Sequence, residues 1–459
     1  MKLSKIALSL VAVAGIVQVG GAWYTGKQVE TRYNELVTLA NNKLQALKIY
    51  NIDAEYKDVT IERSLFSSDL KYNLVVKNYN GESYIFKGAD TLHHGPFPLN
   101  RLIKGKLLPV MISDEGILYS PNSLKSVFKD GIVLTANIDI DYSSNLNGKA
   151  KTNPVKSDNL KISEIETKFD TDKNGVGDVS LELDSISIND VTTKFIAKDM
   201  EYKFTSTKSK YPNLSLGDYV FNAKTLQIIE HTKNNIFSMN DLQMEGKNDL
   251  NGEKTVSNTK MKTDISMKKN EITQDFGEVK LNADFVGDAK TWNDLIGEII
   301  TNTVTEKLVT DTISKGISLK INNLSFENKQ GKNDLNLDLN VKPFDPDLIQ
   351  SQSDSLSVLN KSSLNMKFNI PANHLTIKKM ALLEGKTEQE AQEIADTEIN
   401  TYIDEFTTSS DFFVVDDKNV KLKLVIDNKK VLRNGKEMSE QEISQMLMII
   451  IFASMGASL

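Results

Sequence analysis

The chain has 459 residues, of which 39% are hydrophobic and 25% charged, the make-up of a folded protein and not of a disordered one. Its net charge of -7 gives no reason to approach nucleic acid, a dense polyanion, and only Arg32, Arg63, Arg101 and Arg433 supply the planar fork that reads phosphate and guanine. Cysteine is absent, which excludes disulfides, thiolate nucleophiles, thiolate metal sites and a lipid anchor on an N-terminal cysteine.

The first predicted element is an apolar run over residues 6–24, preceded by Lys2 and Lys5 and interrupted only by the amide of Gln18. At about 1.5 Å per residue it reaches about 28 Å, close to the ~30 Å of a bilayer's hydrocarbon. Ile6, Leu8, Leu10, Val11, Val13, Ile16 and Val17 form its apolar body, and Trp23 and Tyr24 sit where an aromatic belt belongs. The two lysines hold the N-terminus in the cytoplasm and place the rest of the chain on the far side. The alternative is a signal peptide cleaved after Ala22, at the small residues of "GGA". Val29, Tyr33, Leu36, Ala40, Leu44 and Leu47 then recur at spacings of three and four, which predicts a helical stalk over 26–50.

After Asn51 the period changes to two. "ANIDIDY" alternates Ile138, Ile140 and Tyr142 with polar residues, "KMKTDISM" does so with Met261, Ile265 and Met267, "DLNLDLNV" with Leu335, Leu337, Leu339 and Val341, and "NVKLKLVI" with Val420, Leu422, Leu424 and Ile426. Such alternation predicts antiparallel sheet with one buried and one wet face, joined by turns rich in Asn, Asp, Gly and Lys. Three helical segments interrupt it. One lies near 289–316, with Trp292, Leu295, Ile299, Val304 and Leu308 before Gly316; one near 387–406, opened by the capping box of Thr387 and Glu390; one near 439–457, opened by Ser439 and Glu442. The apolar stretch 446–457 in the last is too short to span a bilayer and is expected to pack on the sheet's apolar face. The fold expected is α+β and mainly β: a transmembrane helix over 1–25, a stalk over 26–50, and a body over 51–459 made of extended antiparallel sheet with amphipathic helices on its apolar face.

Candidate chemistry is sparse. "DTDKNGVGD" begins like a calcium loop with Asp170, Asp172, Asn174 and Gly175, but Leu181 stands where the closing carboxylate is required, so a hairpin tip is the better reading. His93 and His94 are adjacent, and neighbouring residues of a strand point to opposite faces, so the two cannot easily share an ion. His231 and His374 have no carboxylate at a defining spacing, and no HExxH, GxSxG or phosphate-cradling loop is present. Paired carboxylates on the wet strand faces single nothing out. No catalytic, cofactor-binding or metal residue is assigned, and the expectation is a protein that is not an enzyme.

"TLHHGPFPLN" reads as architecture. Gly95 frees the backbone while Pro96 and Pro98 fix it and withhold two N–H donors, which predicts a stiff extended link that ends pairing on one side and turns Phe97 inward. The adjacent histidine is expected to bond a backbone carbonyl there. "GAWYTGKQVE", "HHGPFPL" and "RNGKEMSEQE", in this order, resemble the YdgA-like proteins of gamma-proteobacteria, a family defined as a domain of unknown function. The shared boxes fall on Trp23, Tyr24 and Gly26, on His94, Gly95, Pro96, Phe97 and Pro98, and on Asn434, Gly435 and Lys436; Glu437 replaces the more usual proline and is expected to loosen that last turn. The resemblance implies an inner-membrane-anchored envelope protein, of near-full-length unity, with no established activity and no catalytic residues. From the residues themselves we expect a single-pass protein of the bacterial inner membrane with its bulk in the periplasm. A large one-sided sheet must be covered, by its own helices, by a second copy or by acyl chains, so lipid and a homodimer are the partners considered.

Overall fold

The structure, a computed structural model, describes residues 38–443 except 39, 40, 43, 51, 65, 78–80, 302, 350–355, 409–411 and 428. The anchor residues Ile6 to Tyr24, Gly26 and the apolar stretch 446–457 lie outside the described residues. Among those described, no helix is long and apolar enough to cross a membrane. The chain divides into two compact units, Met1–Glu245 with Ile296–Val304, and Gly246–Leu295 with Thr305–Leu459.

The first unit is built from β1 (Asp53–Arg63), β2 (Ser67–Lys77), β3 (Ser83–His94), β4 (Ile112–Tyr119), β5 (Ile132–Ile140), β6 (Leu146–Thr152), β7 (Val155–Lys156), β8 (Leu160–Ile162), β9 (Ile165–Thr171), β10 (Gly177–Asn189), β11 (Thr193–Thr207) and β12 (Leu216–Glu230). They pair antiparallel in the order β1-β2-β3-β4-β5-β6-β9-β10-β11-β12, with β7 and β8 forming a side hairpin against the end of β10. The expected alternation holds: Ile138 and Ile140 are buried on one face while Asp139 and Asn137 lie on the other. Tyr142 falls beyond the strand and is exposed. Leu44 and Leu47, from the helical stretch read as a stalk, are fully buried in this unit's core beside Leu74, Phe86 and Leu160. The 170–175 segment is a hairpin tip between β9 and β10. The Asp172 carboxylate accepts from the backbone N–H groups of Asn174 (2.8 Å) and Val176 (2.9 Å), and so serves its own turn.

β13 (Asn235–Asn251) begins in the first unit and ends in the second. The second unit continues with β14 (Lys254–Lys269), β15 (Ile272–Asp288), β16 (Ile317–Asn328), β17 (Gly331–Val341), β18 (Ser362–Asn369), β19 (Val414–Val415), β20 (Asn419–Asp427), β21 (Lys430–Arg433) and β22 (Lys436–Glu437). The ladder β14-β15-β16-β17-β18-β20-β21-β22 is antiparallel throughout, and β19 pairs with β20. Its helices interrupt the strands where a cap or a proline permits. The segment expected as one helix is two, α2 (Ala289–Thr301) and α3 (Glu306–Ser314), after the short α1 (Leu99–Ile103) of the first unit. Thr305 caps the second of them by accepting from Leu308 N–H, and Ile299 and Val304, which belong with the first unit, are about half exposed. A further helix was not expected, α4 (Ile370–Leu383), which precedes α5 (Glu388–Thr408). Pro371 occupies its first turn, where a missing N–H costs nothing, and Asn369 caps it by accepting from Ala372 N–H at 3.0 Å. Thr387 and Glu390 satisfy each other's backbone N–H groups as a capping box, and Ser439 and Glu442 do the same.

Candidate functional site

In the first unit, one row of inward side chains crosses six strands: Leu92, Asp114, Ile138, Gly148, Phe169 and Val179. The next row runs Leu70, Asp90, Gly116, Ala136, Ala150, Thr167 and Leu181. Two carboxylates therefore stand as diagonal neighbours on a face that is otherwise mainly apolar, with Thr167 and Tyr72 its nearest polar side chains. Asp114 is 4% exposed, and its Oδ1 has no hydrogen-bond partner among the described residues. Asp90 accepts from the Ile117 backbone N–H and, at 3.5 Å, from the Tyr72 hydroxyl. Burial pushes Asp90 up to about 7. Burial, and then the charges of Asp90 and Glu115, push Asp114 well above the usual carboxylate range. The same face explains two glycines. A Cβ on Gly88 would lie 2.0 Å from the Tyr72 ring, and one on Gly116 would lie 2.7 Å from Asp90 Oδ1. Both carboxyl groups are thus pushed toward keeping a proton at pH values where an exposed aspartate has lost it. Nothing in the local sequence distinguishes these two aspartates from those of the wet faces; the sheet's register does.

The second unit carries the more open apolar face. Leu324, Leu335 and Met366 stand opposite one another across β16, β17 and β18, and Leu337 faces Leu364 in the next row. Every residue of β17 is only partly buried, Leu324 is 37% exposed and Met366 42%. The first of these rows lines a groove of about 260 Å³ together with Val279, Phe326 and Phe368, and the polar Ser325, Asn333, Asp334 and Lys367 complete its rim. At its end Phe368 meets Phe406 of α5 edge to face, with ring centres 6.0 Å apart. In the first unit Phe195, Tyr202 and Ile228 leave the far end of the inward face open in the same way, at 36%, 37% and 51%.

The histidines do not converge. His93 Nε2 lies 3.5 Å from Glu115 Oε2, and His94 Nε2 lies 3.0 Å from Ser68 Oγ. Ser68 is 3% exposed, which seals the hydroxyl in the corner. His231 pairs with Asn189. His374, for which sequence spacing offered no carboxylate, meets Asp396 at 2.7 Å, because α4 and α5 pack together. Among the described residues no group of three or more histidines and carboxylates could hold a metal ion.

The boxes are corners. Gly95 donates to Met111 O at 2.8 Å, and a Cβ there would fall 1.8 Å from Val110 O, so only glycine fits. The Gly95–Pro96 bond is cis. Phe97 is 52% exposed, contrary to the inward turn expected; Pro98 is the fully buried residue, and alternation along an extended link sends its neighbour outward. Pro98 leads into α1, which sets Arg101 against Asp139 at 2.5 Å, over a cleft of about 750 Å³ on the wet face. That cleft's lysines are already paired: Lys149 and Lys168 with Glu166, and Lys203 with Glu201. Asn434 and Gly435 both have positive φ, the geometry of a type I′ hairpin turn, and the Asn434 side chain bonds Lys423 N–H and Phe412 O. Glu437 does not loosen this turn, since it pairs with Leu432 in the ladder and its carboxylate meets Lys430 at 2.8 Å.

A family described as a bacterial protein of unknown function (DUF945) matches residues 1–441. The chain belongs to this family. Relatives in it include Protein YdgA of Escherichia coli, 26% identical over 96% of both chains. The uncharacterized protein YihF of the same organism is 21% identical over 95% of this chain and 97% of its own. An uncharacterized protein of Haemophilus influenzae is 26% identical over 48% of this chain and 64% of its own. No solved structure matches.

Proposed function

We propose that this is a membrane-anchored envelope protein without catalysis, held in the inner membrane by residues 6–24 with its body in the periplasm, which holds or passes lipid along the one-sided face of its sheet. The observation that carries the reading is the pair of neighbouring apolar rows in the second unit, in which Leu324 and Met366 remain exposed and Leu335 and Leu337 are only partly covered. Leaving such a row in water is unfavourable by about 25 cal/mol per Å² of apolar area, so an apolar occupant is favoured. Acyl chains fit the apolar side of this groove, made of Val279, Leu324, Phe326, Leu335, Met366 and Phe368. Two helices, α4 and α5, lie against this sheet and cover only part of it.

A second reading rests on the same exposure: the open row is closed by a second copy, and the protein is a scaffold of the envelope. One substitution separates the two. Leu337→Asp places a charge in the row without removing a buried side chain. Phospholipid extracted from the purified protein is expected to fall at least severalfold in the variant, with the circular dichroism of the sheet unchanged. Unchanged phospholipid, or a dimer that the variant dissolves, contradicts the lipid reading and supports the scaffold.

A further inference from the structure

The corner at Gly95 holds an apolar segment out from the end of the first unit's sheet. Ile103, Leu107 and Leu108 are 85%, 71% and 78% exposed, and Phe97, Leu99 and Leu102 are exposed with them. Phe66, 70% exposed, joins them, since its carbonyl accepts from His94 N–H. This is not a loose loop. Pro98 is buried, Lys104, Gly105 and Lys106 donate backbone bonds back to α1, and Arg101 binds both Asp139 and the carbonyl of Leu108. The fold therefore spends a buried ion pair on presenting aliphatic side chains to solvent, where large apolar patches mark interaction sites.

We propose that residues 97–108 are a docking element for an anionic bilayer surface, seating Leu99, Ile103, Leu107 and Leu108 among the acyl chains; this rests on the reading that the chain stands at a membrane. Charge favours that occupant over a protein. Between Asp90 and Asp114 the chain carries no acidic residue, whereas Lys104 and Lys106 flank Gly105 between Ile103 and Leu107 and are about half exposed. Long lysine stems bury against hydrocarbon while their heads stay among headgroups, which adds to apolar insertion an attraction for anionic lipid. The nearby Glu115 and Asp139 offset part of that charge in water, and the anionic surface competes for both lysines. Protein interfaces are depleted of lysine, the residue that stands on both sides of Gly105 here.

The chain has no cysteine, so one introduced cysteine gives one label. The full-length protein is reconstituted into phosphatidylethanolamine–phosphatidylglycerol vesicles with an environment-sensitive fluorophore at Ile103→Cys, at Leu108→Cys, or at the 90% exposed Val191→Cys as control. Expected are a blue-shifted emission and at least threefold stronger quenching by shallow spin-labelled lipid at 103 and 108 than at 191. Adding Lys104→Glu and Lys106→Glu, or using vesicles of neutral lipid alone, should remove most of that difference. Equal quenching at all three positions overturns the proposal, as does equal quenching in neutral vesicles, which denies the anionic commitment. Shielding that follows protein density in the vesicle instead of lipid composition overturns it in favour of a second copy. Flotation of the same vesicles separates the two claims. Protein that floats with unquenched probes rejects the docking element and keeps the anchor, and protein that fails to float rejects the anchor as well.

Discussion

The first unit buries a broad core around Leu44, Leu47, Leu74, Phe86 and Leu160, and a second cluster around Leu92, Ile112 and Phe169. The second unit buries a small one around Leu422, Leu424 and Val431 and leaves the rest of its apolar rows half covered. Both are antiparallel sheets with the same alternation. They differ in what lies over the face. The segment between β4 and β5 of the first unit supplies Leu124, Val127 and Phe128 to its core, whereas β16 and β17 of the second are joined by a turn of two residues. Alternation settles that a face is apolar, and the insertions between strands settle whether it is closed.

The largest effect separating the two units is expected from the closed one. Phe86→Ala removes a fully buried ring and should cost about 3–5 kcal/mol. Met366→Ala in the open row should cost less than about 1 kcal/mol, since that side chain is already 42% exposed. Denaturant midpoints with hydrogen exchange resolved by segment would show the asymmetry, and equal losses would contradict it.

The carboxylate pair sharpens the comparison by pH. The folded state holds Asp90 protonated up to about 7 while the unfolded chain releases that proton near its ordinary value of 3.8. Between these values the folded state binds more protons, so stability is greatest at the acid end of the window and falls as pH rises through it. The loss is on the order of a few kcal/mol, at about 1.4 kcal/mol per pKa unit. Asp114→Asn removes the second buried carboxyl, which burial likewise pushes up and whose Oδ1 has no partner; it should lessen the total fall with pH and make the protein more stable at pH 8 by about 1 kcal/mol or more. Urea midpoints at pH 5 and pH 8 for both proteins measure it, and a wild type that is more stable at pH 8 would refute the assignment. The smallest effect belongs to the exposed pair of the last hairpin. Lys430→Ala should cost no more than about 0.5 kcal/mol, because both partners are more than half exposed.

Much of this fold was legible. Ile138, Ile140, Leu422 and Leu424 are buried where period two placed them, the 170–175 hairpin formed, and both capping boxes close with reciprocal bonds. Other features needed the third dimension. Pro371 reads as a helix breaker until its place in the first turn is known. The inward residues of β3 are Phe86, Gly88, Asp90 and Leu92, so a glycine and an acid interrupt the row and hide its phase. Asp90 and Asp114 look like wet-face carboxylates because cross-strand register, which buries them, is not a local property. Phe97 was turned the wrong way because two prolines gave stiffness without saying which of them enters the core.

The central claim is that the open row of the second unit meets lipid. Its most direct test is a photo-crosslinking amino acid placed at Leu337 or Met366 of the full-length chain in living cells, with Asp338 on the wet face as control. The account predicts phospholipid adducts, identified by mass spectrometry, at 337 and 366 and none at 338. Adducts to protein alone, or a pattern the same at all three positions, would contradict it.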